Sequence, residues 1–369
     1  MIKKLFLAIS ILCSAGAFAG VPTANGTDDT GAFVPCPNPG TGLLNATCFQ
    51  LLIRNPALPG TRFDPANVIA DVDIRERVPA GAAVGSVVFF TGDFGDNYYD
   101  IPPTHTFAGG TISTMVANGF KTYEVRWLDD TGAAPGEGWL SGMHGTGPET
   151  ATLGAREIIE WIKNNPAQAT PLCATGNSFG GVQIAYSIAA HGAGPFLQSA
   201  VYSAGPSVGD IPAGCFLPTY NNGVLLPSAQ SITPGFNVGT RSSVIDTMMG
   251  WPDPAHNCGT PAAHPTWAAS IYNTPAAQAM ALVSYGPAAV ARTYNPTTRQ
   301  FFVEAAFDPS GATVQGLHYY RAITGYKDFA VYGEYNQLAP TDFASHVVHN
   351  TATGSAIIRG ILLDPENCQ

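Results

Sequence analysis

The chain of 369 residues carries 16 basic and 26 acidic side chains, a formal net charge of −10, with no cluster of Lys and Arg, so nucleic acid is not expected as a partner. Hydrophobic residues make up 45% and charged residues 11%, against about 25% charged in ordinary globular proteins; this excludes a disordered chain and supplies a sizeable core. The 41 glycines and 30 prolines follow no three-residue period, so the chain is rich in turns and not collagen-like.

Residues 1–19 have the layout of an export signal. Lys3 and Lys4 precede an apolar run from Leu5 to Leu12, and Ala17 and Ala19 are the small residues of a cleavage site before Gly20. The run is shorter than the roughly 20 apolar residues of a membrane span, and no later segment reaches that length. The mature protein is therefore expected to have no integral membrane segment and to be periplasmic or extracellular. Export places Cys36, Cys48, Cys173, Cys215, Cys258 and Cys368 in an oxidising compartment, where an even number favours disulfides. Cys36–Cys48 would close a short loop, and Cys215–Cys258 would pin the middle of the chain.

Residues 20–67 are rich in Gly, Pro, Thr and Asn and read as a loop-rich segment. From Val68 to Val78 apolar and polar residues alternate, which predicts a half-exposed strand. Ser86 to Phe90 is a continuous apolar run and predicts a buried strand. Lys121 to Trp127 is another strand. Thr150 to Asn164 has helical spacing, with Leu153, Ile158, Ile159 and Ile162 on one side and Pro166 beyond its end. A short strand at Leu172–Thr175 leads into a helix of small residues from Gly180 to Ala190, and Ser199–Ser203 is the next strand. Residues 206–298 then break the rhythm with dense Pro, Gly and Asn and scattered aromatics, and read as an insertion over a single core domain. Strands resume at Arg299–Glu304 and Lys327–Tyr332, and a last helix spans about Gly354 to Leu363. Strands alternating with helices predict an α/β protein with a mostly parallel sheet.

Gly176-Asn177-Ser178-Phe179-Gly180 is a G-x-S-x-G lying between a strand and a helix. A serine on a sharp strand-to-helix turn exposes its hydroxyl, flanking glycines let the chain turn tightly, and the following helix aims its first amides at developing negative charge. In that context the chain from residue 68 to about 365 resembles the α/β-hydrolase superfamily, with 206–298 where that family carries a lid or cap.

The resemblance implies a nucleophile, an acid and a histidine in that order, here Ser178, Asp308 and His346. Asp308 follows the strand ending near Glu304, at the end of the sheet where ligands bind; Asp210 and Glu304 are the lesser alternatives. His346 precedes the last helix, and His349, three residues on, competes with it. His105, His144, His191 and His318 lack such placement.

Two backbone amides would form the oxyanion hole: Phe179, directly after the nucleophile, and Asp93 in Thr91-Gly92-Asp93-Phe94-Gly95, where Thr91 stands in place of the family's usual His. Tyr98 and Tyr99 either line the acyl side or pack in the core. The implied activity is hydrolysis of carboxylic esters, of lipophilic acyl or aryl type if the aromatic insertion faces substrate; the alternatives are a serine peptidase on the same fold and a non-catalytic binding protein.

Asp93, Asp96, Asn97 and Asp100 could hold calcium only with a spacing unlike an EF-hand loop. Asp253, His256, Cys258 and His264 would hold zinc only if Cys258 were free of a disulfide. No metal and no cofactor is expected. In the implied fold the last helix runs back toward the amino ends of the strands, where Cys173 starts its strand, so Cys368 could pair with Cys173.

Overall fold

The computed structural model describes residues 23–25, 46–54, 68–92, 95–100, 104–128, 138–140, 148–164, 170–189, 191–205, 207–208, 297–305, 308, 312–332 and 346–369. The chain order is β1 (Thr23–Asn25), β2 (Ala46–Arg54), β3 (Val68–Arg77), β4 (Gly85–Phe90), α1 (Thr106–Ala117), β5 (Phe120–Leu128), α2 (Pro148–Asn164), β6 (Leu172–Asn177), α3 (Phe179–Ala189) and β7 (Ser199–Ser203). It continues with β8 (Arg299–Ala305), α4 (Ala312–Ala322), β9 (Lys327–Tyr332) and α5 (Ala352–Leu363), then a single turn at Pro365–Cys368. Among the described residues the strands form one nine-stranded sheet in the order β1-β2-β3-β5-β4-β6-β7-β8-β9. β1, β2, β3 and β5 pair antiparallel in turn, and every pair from β5–β4 through β8–β9 is parallel. Strand β2 lies within the segment expected to be loop-rich. The lid assigned to 206–298 and the pairing Cys215–Cys258 lie outside the described residues, apart from Ser207, Val208, Thr297 and Thr298 at the margins.

Parallel strands need crossovers, and the crossover helices bury both faces of the sheet. Strands β4, β6 and β7 accordingly read as apolar or small residues throughout and are buried along their whole length. On one face α2, α3 and α4 close a core with Trp127, Ile158, Ile162, Val182, Tyr202, Phe302 and Leu317. On the other, α1 and α5 close a second core with Val87, Phe89, Met115, Val303, Ile358 and Leu362. The helical pattern of α1 is weak because TFAGGTISTMVA mixes two glycines with hydroxyl residues, so the helix is held by the burial of Ala108, Ile112 and Met115 and not by propensity.

Strand β3 corrects the expectation of a half-exposed strand. Val72 and Ile74 are buried, but so are Asp73, Arg75 and Arg77 on the polar side. The register explains this: Arg75 lies opposite Glu124, and Asp73 opposite Arg126. Arg75 donates to both Glu124 oxygens, at 2.8 and 2.7 Å, and to Asp100 at 2.6 Å, while Arg77 also pairs with Glu124. Tyr98 covers the cluster, its ring 3.9 Å from the Arg75 guanidinium. An alternating pattern signals two different faces; whether the polar one meets water depends on partners that are distant in sequence.

Cys173, near the start of β6, is disulfide-bonded to Cys368, 195 residues away. Both cysteines are fully buried, and Ser199 Oγ donates to Cys173 Sγ at 3.1 Å. Cys48 is also disulfide-bonded, while Cys36, its expected partner, lies outside the described residues. Replacing Cys368 by Ser should cost about 2–5 kcal/mol of stability. Urea unfolding of the oxidised proteins measures this, and an unchanged midpoint would show that the link restrains nothing.

Candidate active site

Ser178 is the turn residue between β6 and α3, with φ at 53°, a region that non-glycine residues visit uncommonly. The crowding around it explains why. A Cβ on Gly176 would collide with Gly180, and one on Gly180 with the Phe90 carbonyl of β4. A Cβ on Gly92 would lie 2.7 Å from the Ser178 Cβ, and one on Gly205 2.9 Å from the Ser178 carbonyl oxygen. Bare backbone from four places closes on this residue, and the Ser178 N–H is fixed by the Ser203 carbonyl of β7 at 2.8 Å.

The structure brings together the three side chains expected to act with one another. Ser178 Oγ lies 2.7 Å from His346 Nε2, and His346 Nδ1 lies 2.9 Å from Asp308 Oδ2. Each comes from the carboxyl end of the sheet: Ser178 after β6, Asp308 three residues past β8, and His346 shortly before α5. The Asp308 carboxylate is buried, and its backbone N–H turns back to the Ala305 carbonyl at 3.3 Å. Since Asp308 holds Nδ1, the proton on that nitrogen leaves the Nε2 lone pair to face the serine hydroxyl.

Glu304, the alternative acid, is fully buried in β8; burial first, and the neighbouring Asp308 next, push its carboxyl well above the usual range. Asp210 lies outside the described residues.

Phe179 is the first residue of α3, so its N–H belongs to the helix end whose amides lack partners within the helix. Asp93 and Phe94 lie outside the described residues. The flanking Gly92 lies against Ser178, and Gly95 is anchored by accepting from the Trp127 N–H at 2.8 Å. Tyr98 and Tyr99 are packing residues: Tyr98 lies over Arg75, and Tyr99 lies between Phe89, with ring centroids 5.0 Å apart, and His349, 4.6 Å away. Asp100, one of the possible calcium ligands, is taken by Arg75; burial, followed by Glu124, pushes its carboxyl up to about 6. Asp96 accepts from the Asn97 amide at 2.9 Å. Among the described residues no three His, Cys, Asp or Glu side chains are grouped to hold a metal, and the zinc set at 253–264 lies outside them.

His349 is 3% exposed and does not reach the serine as His346 does; it faces His105, whose Nδ1 lies 3.2 Å from its Nε2. His105 had no signal in its sequence surroundings, because it meets His349 only through the packing of α1 against α5. The same packing places the Asn350 side chain as acceptor for the Phe107 N–H at 3.0 Å, in the first turn of α1.

No protein-family model and no curated protein sequence matches the chain. Among solved structures it is similar to a thermostable carboxyl esterase from Bacillus coagulans, at 16% identity and a TM-score of 0.45 over 81% of this chain and 94% of that one. It is similar to an acetyl xylan esterase from Paenibacillus sp. R4, at 10% identity and a TM-score of 0.47 over 86% and 84%. An acylaminoacyl peptidase from Pyrococcus horikoshii gives 10% identity and a TM-score of 0.45 over 85% of this chain and 47% of that one. The mostly parallel sheet, the serine turn after β6 and the helices on both faces agree with the α/β-hydrolase layout that the sequence resembles.

The two paired imidazoles set a pH dependence. Burial lowers the basicity of His349 well below the ordinary value of 6.5, with His105 and then His346 adding to it, and burial also lowers that of His105. Below about pH 6.5 the unfolded chain therefore takes up protons that these folded imidazoles refuse, and their contribution to stability falls with falling pH, by at most about 1.4 kcal/mol per unit for each ring. Comparing unfolding free energies at pH 7.5, 6.5 and 5.5 for the parent and His349→Asn isolates one ring. The parent should lose more stability on acidification than the variant, and equal losses would show that His349 titrates normally.

Proposed function

We propose that this protein is an exported serine hydrolase that cleaves carboxylic esters through an acyl-enzyme. The observation that carries the reading is the unbroken contact from Ser178 Oγ through His346 to Asp308, set on a nucleophile turn of positive φ. Ser178 Oγ attacks the ester carbonyl carbon while His346 Nε2 takes the hydroxyl proton, and Asp308 holds the ring and stabilises the imidazolium. The oxyanion accepts hydrogen bonds from the Phe179 and Asp93 amides. Collapse of the tetrahedral species breaks the bond to the alcohol, which leaves with the proton from His346. Water, deprotonated by the same imidazole, then attacks the acyl carbon; the acid departs and Ser178 regains its proton. A lipophilic acyl or aryl substrate is the class suggested by the aromatic composition of 206–298. No helix among the described residues is long and apolar enough to cross a membrane.

Hydrolysis of p-nitrophenyl esters from acetate to palmitate tests the reaction, with the matching anilides in parallel. The parent should hydrolyse esters in preference to anilides, and Ser178→Ala should lower the rate by about 10⁴-fold or more. Activity that survives Ser178→Ala would remove Ser178 as nucleophile; preference for anilides would make the protein a peptidase. Export is tested separately: the protein recovered outside the cytoplasm of an expressing bacterium should begin at Gly20, whereas an intact Met1 on all of it would remove the signal reading.

A further inference from the structure

The proposed reaction leaves one part of the site without a task. Asn177, the residue before the nucleophile, is buried, and its amide lies against His349, the buried imidazole that faces away from Ser178. The hydrogen-bond inventory around this amide determines which way it points. One terminal atom faces His349 Nδ1 at 2.9 Å, Ser203 Oγ at 3.3 Å and the Ser203 carbonyl at 3.3 Å, while the other faces the Ser178 N–H at 3.2 Å and the His346 carbonyl at 3.3 Å. The Ser203 hydroxyl lies 3.2 Å from the Gly176 carbonyl and 3.3 Å from the Asn177 amide; with its proton on the Gly176 carbonyl it accepts from Asn177. The Ser203 carbonyl on one side and the Ser178 N–H on the other are two groups of fixed polarity against the single His346 carbonyl, and they favour the orientation in which the amide nitrogen faces Ser203 and His349.

The consequence passes to the imidazole. In this orientation His349 Nδ1 receives the amide proton and carries a lone pair, so the ring's own proton is on Nε2. That N–H faces His105 Nδ1, 3.2 Å away, and both rings also hydrogen-bond the Tyr99 backbone. His346 has the reverse arrangement, with its proton on Nδ1 toward Asp308 and its lone pair on Nε2 toward Ser178.

We infer that Asn177 and His349 are positioning residues, their hydrogen bond tying the turn that carries Ser178 to the loop that carries His346, with His349 held as the neutral Nε2–H tautomer. The inference rests on the reading of Ser178 and His346 as reacting partners. His346 and His349 are separated by one short stretch of backbone, so anchoring the second ring to the residue beside the nucleophile fixes the distance over which the first exchanges a proton. The titratable groups facing His349 are His105 at the start of α1, His346 on its own loop and Tyr99 after β4, with Asp308 behind His346. None is a carboxylate in contact with the ring, and burial favours the neutral form that the tie needs.

Histidine-selective isotope labelling and NMR of the unmodified protein read the tautomers directly. His349 should give the neutral Nε2–H pattern and not titrate between about pH 5 and 8, and His346 should give the Nδ1–H pattern at the upper end of that range. His349 observed with its proton on Nδ1, or titrating with an ordinary pKa, overturns the inference without any variant having to fold.

Kinetics supply the second arm. Asn177→Ala and His349→Ala should each lower kcat about tenfold or more with KM changed less than about twofold, as expected for a misplaced proton acceptor. His349→Asn, which keeps an acceptor near the Nδ1 position, should stay within about threefold of the parent, and the double alanine variant should be no slower than the worse single one. Additive losses, or failure of His349→Asn to rescue, overturn the tie. Ester hydrolysis that is absent from the parent, or independent of Ser178, overturns the hydrolase reading, and the tautomers alone then decide the inference.

Discussion

Four stretches of bare backbone converge on Ser178. Gly176 and Gly180 face each other across the turn, Gly180 presses on the Phe90 carbonyl, and Gly92 and Gly205 approach the serine from the neighbouring strand ends. This close approach holds φ at 53° and is possible only because β6 is flanked by β4 and β7 in parallel register. A side chain on any of the four glycines would push the turn outward and carry Ser178 Oγ away from His346. The position of the reacting atom thus depends on the sheet, and the sheet depends on the two cores that cover it.

The loop after β4 meets a second demand. It has to bring Gly92 to the serine while crossing the buried pairs of Arg75, Arg77, Glu124 and Asp100. Two guanidinium groups removed from water are costly unless paired, and removing one partner of such a cluster typically costs about 3–5 kcal/mol. The cluster joins β3, β5 and the loop ending at Asp100, so it fixes where the loop leaves the sheet. Trp127, held at its indole N–H by Gln183 of α3 at 2.9 Å and at its backbone N–H by Gly95, links that loop to the helix behind the nucleophile.

Legibility in the sequence follows the range of the interaction involved. The turn around Ser178 is written in five consecutive residues because its constraint is local: glycines where side chains cannot fit. Strands β4, β6 and β7 are legible because burial on both faces leaves short runs of apolar and small residues. Asp308 and His346 are legible only through chain order, which the resemblance supplied; nothing within their own surroundings separates His346 from His349. The roles of His105, Asn177 and the polar face of β3 are hidden, since each is settled by a partner on another element. Helix α1 is hidden for a related reason, its glycines and threonines giving little propensity while packing against α5 holds it.

The bond between Cys173 and Cys368 closes a covalent ring that contains Ser178, Asp308, His346 and the whole of 206–298. A protease cut anywhere in that central stretch opens the ring without releasing a fragment. The strand bearing the nucleophile stays attached to the segments bearing the acid and the imidazole, so a nicked molecule separates into two chains only after reduction. The ring also cannot close until Cys368 has been made and has met oxidant. A chain retained in a reducing compartment holds its C-terminal segment by packing and by polar contacts such as that from Arg299 to Asn367 at 2.7 Å, with no disulfide to keep the imidazole loop near the serine once those contacts open.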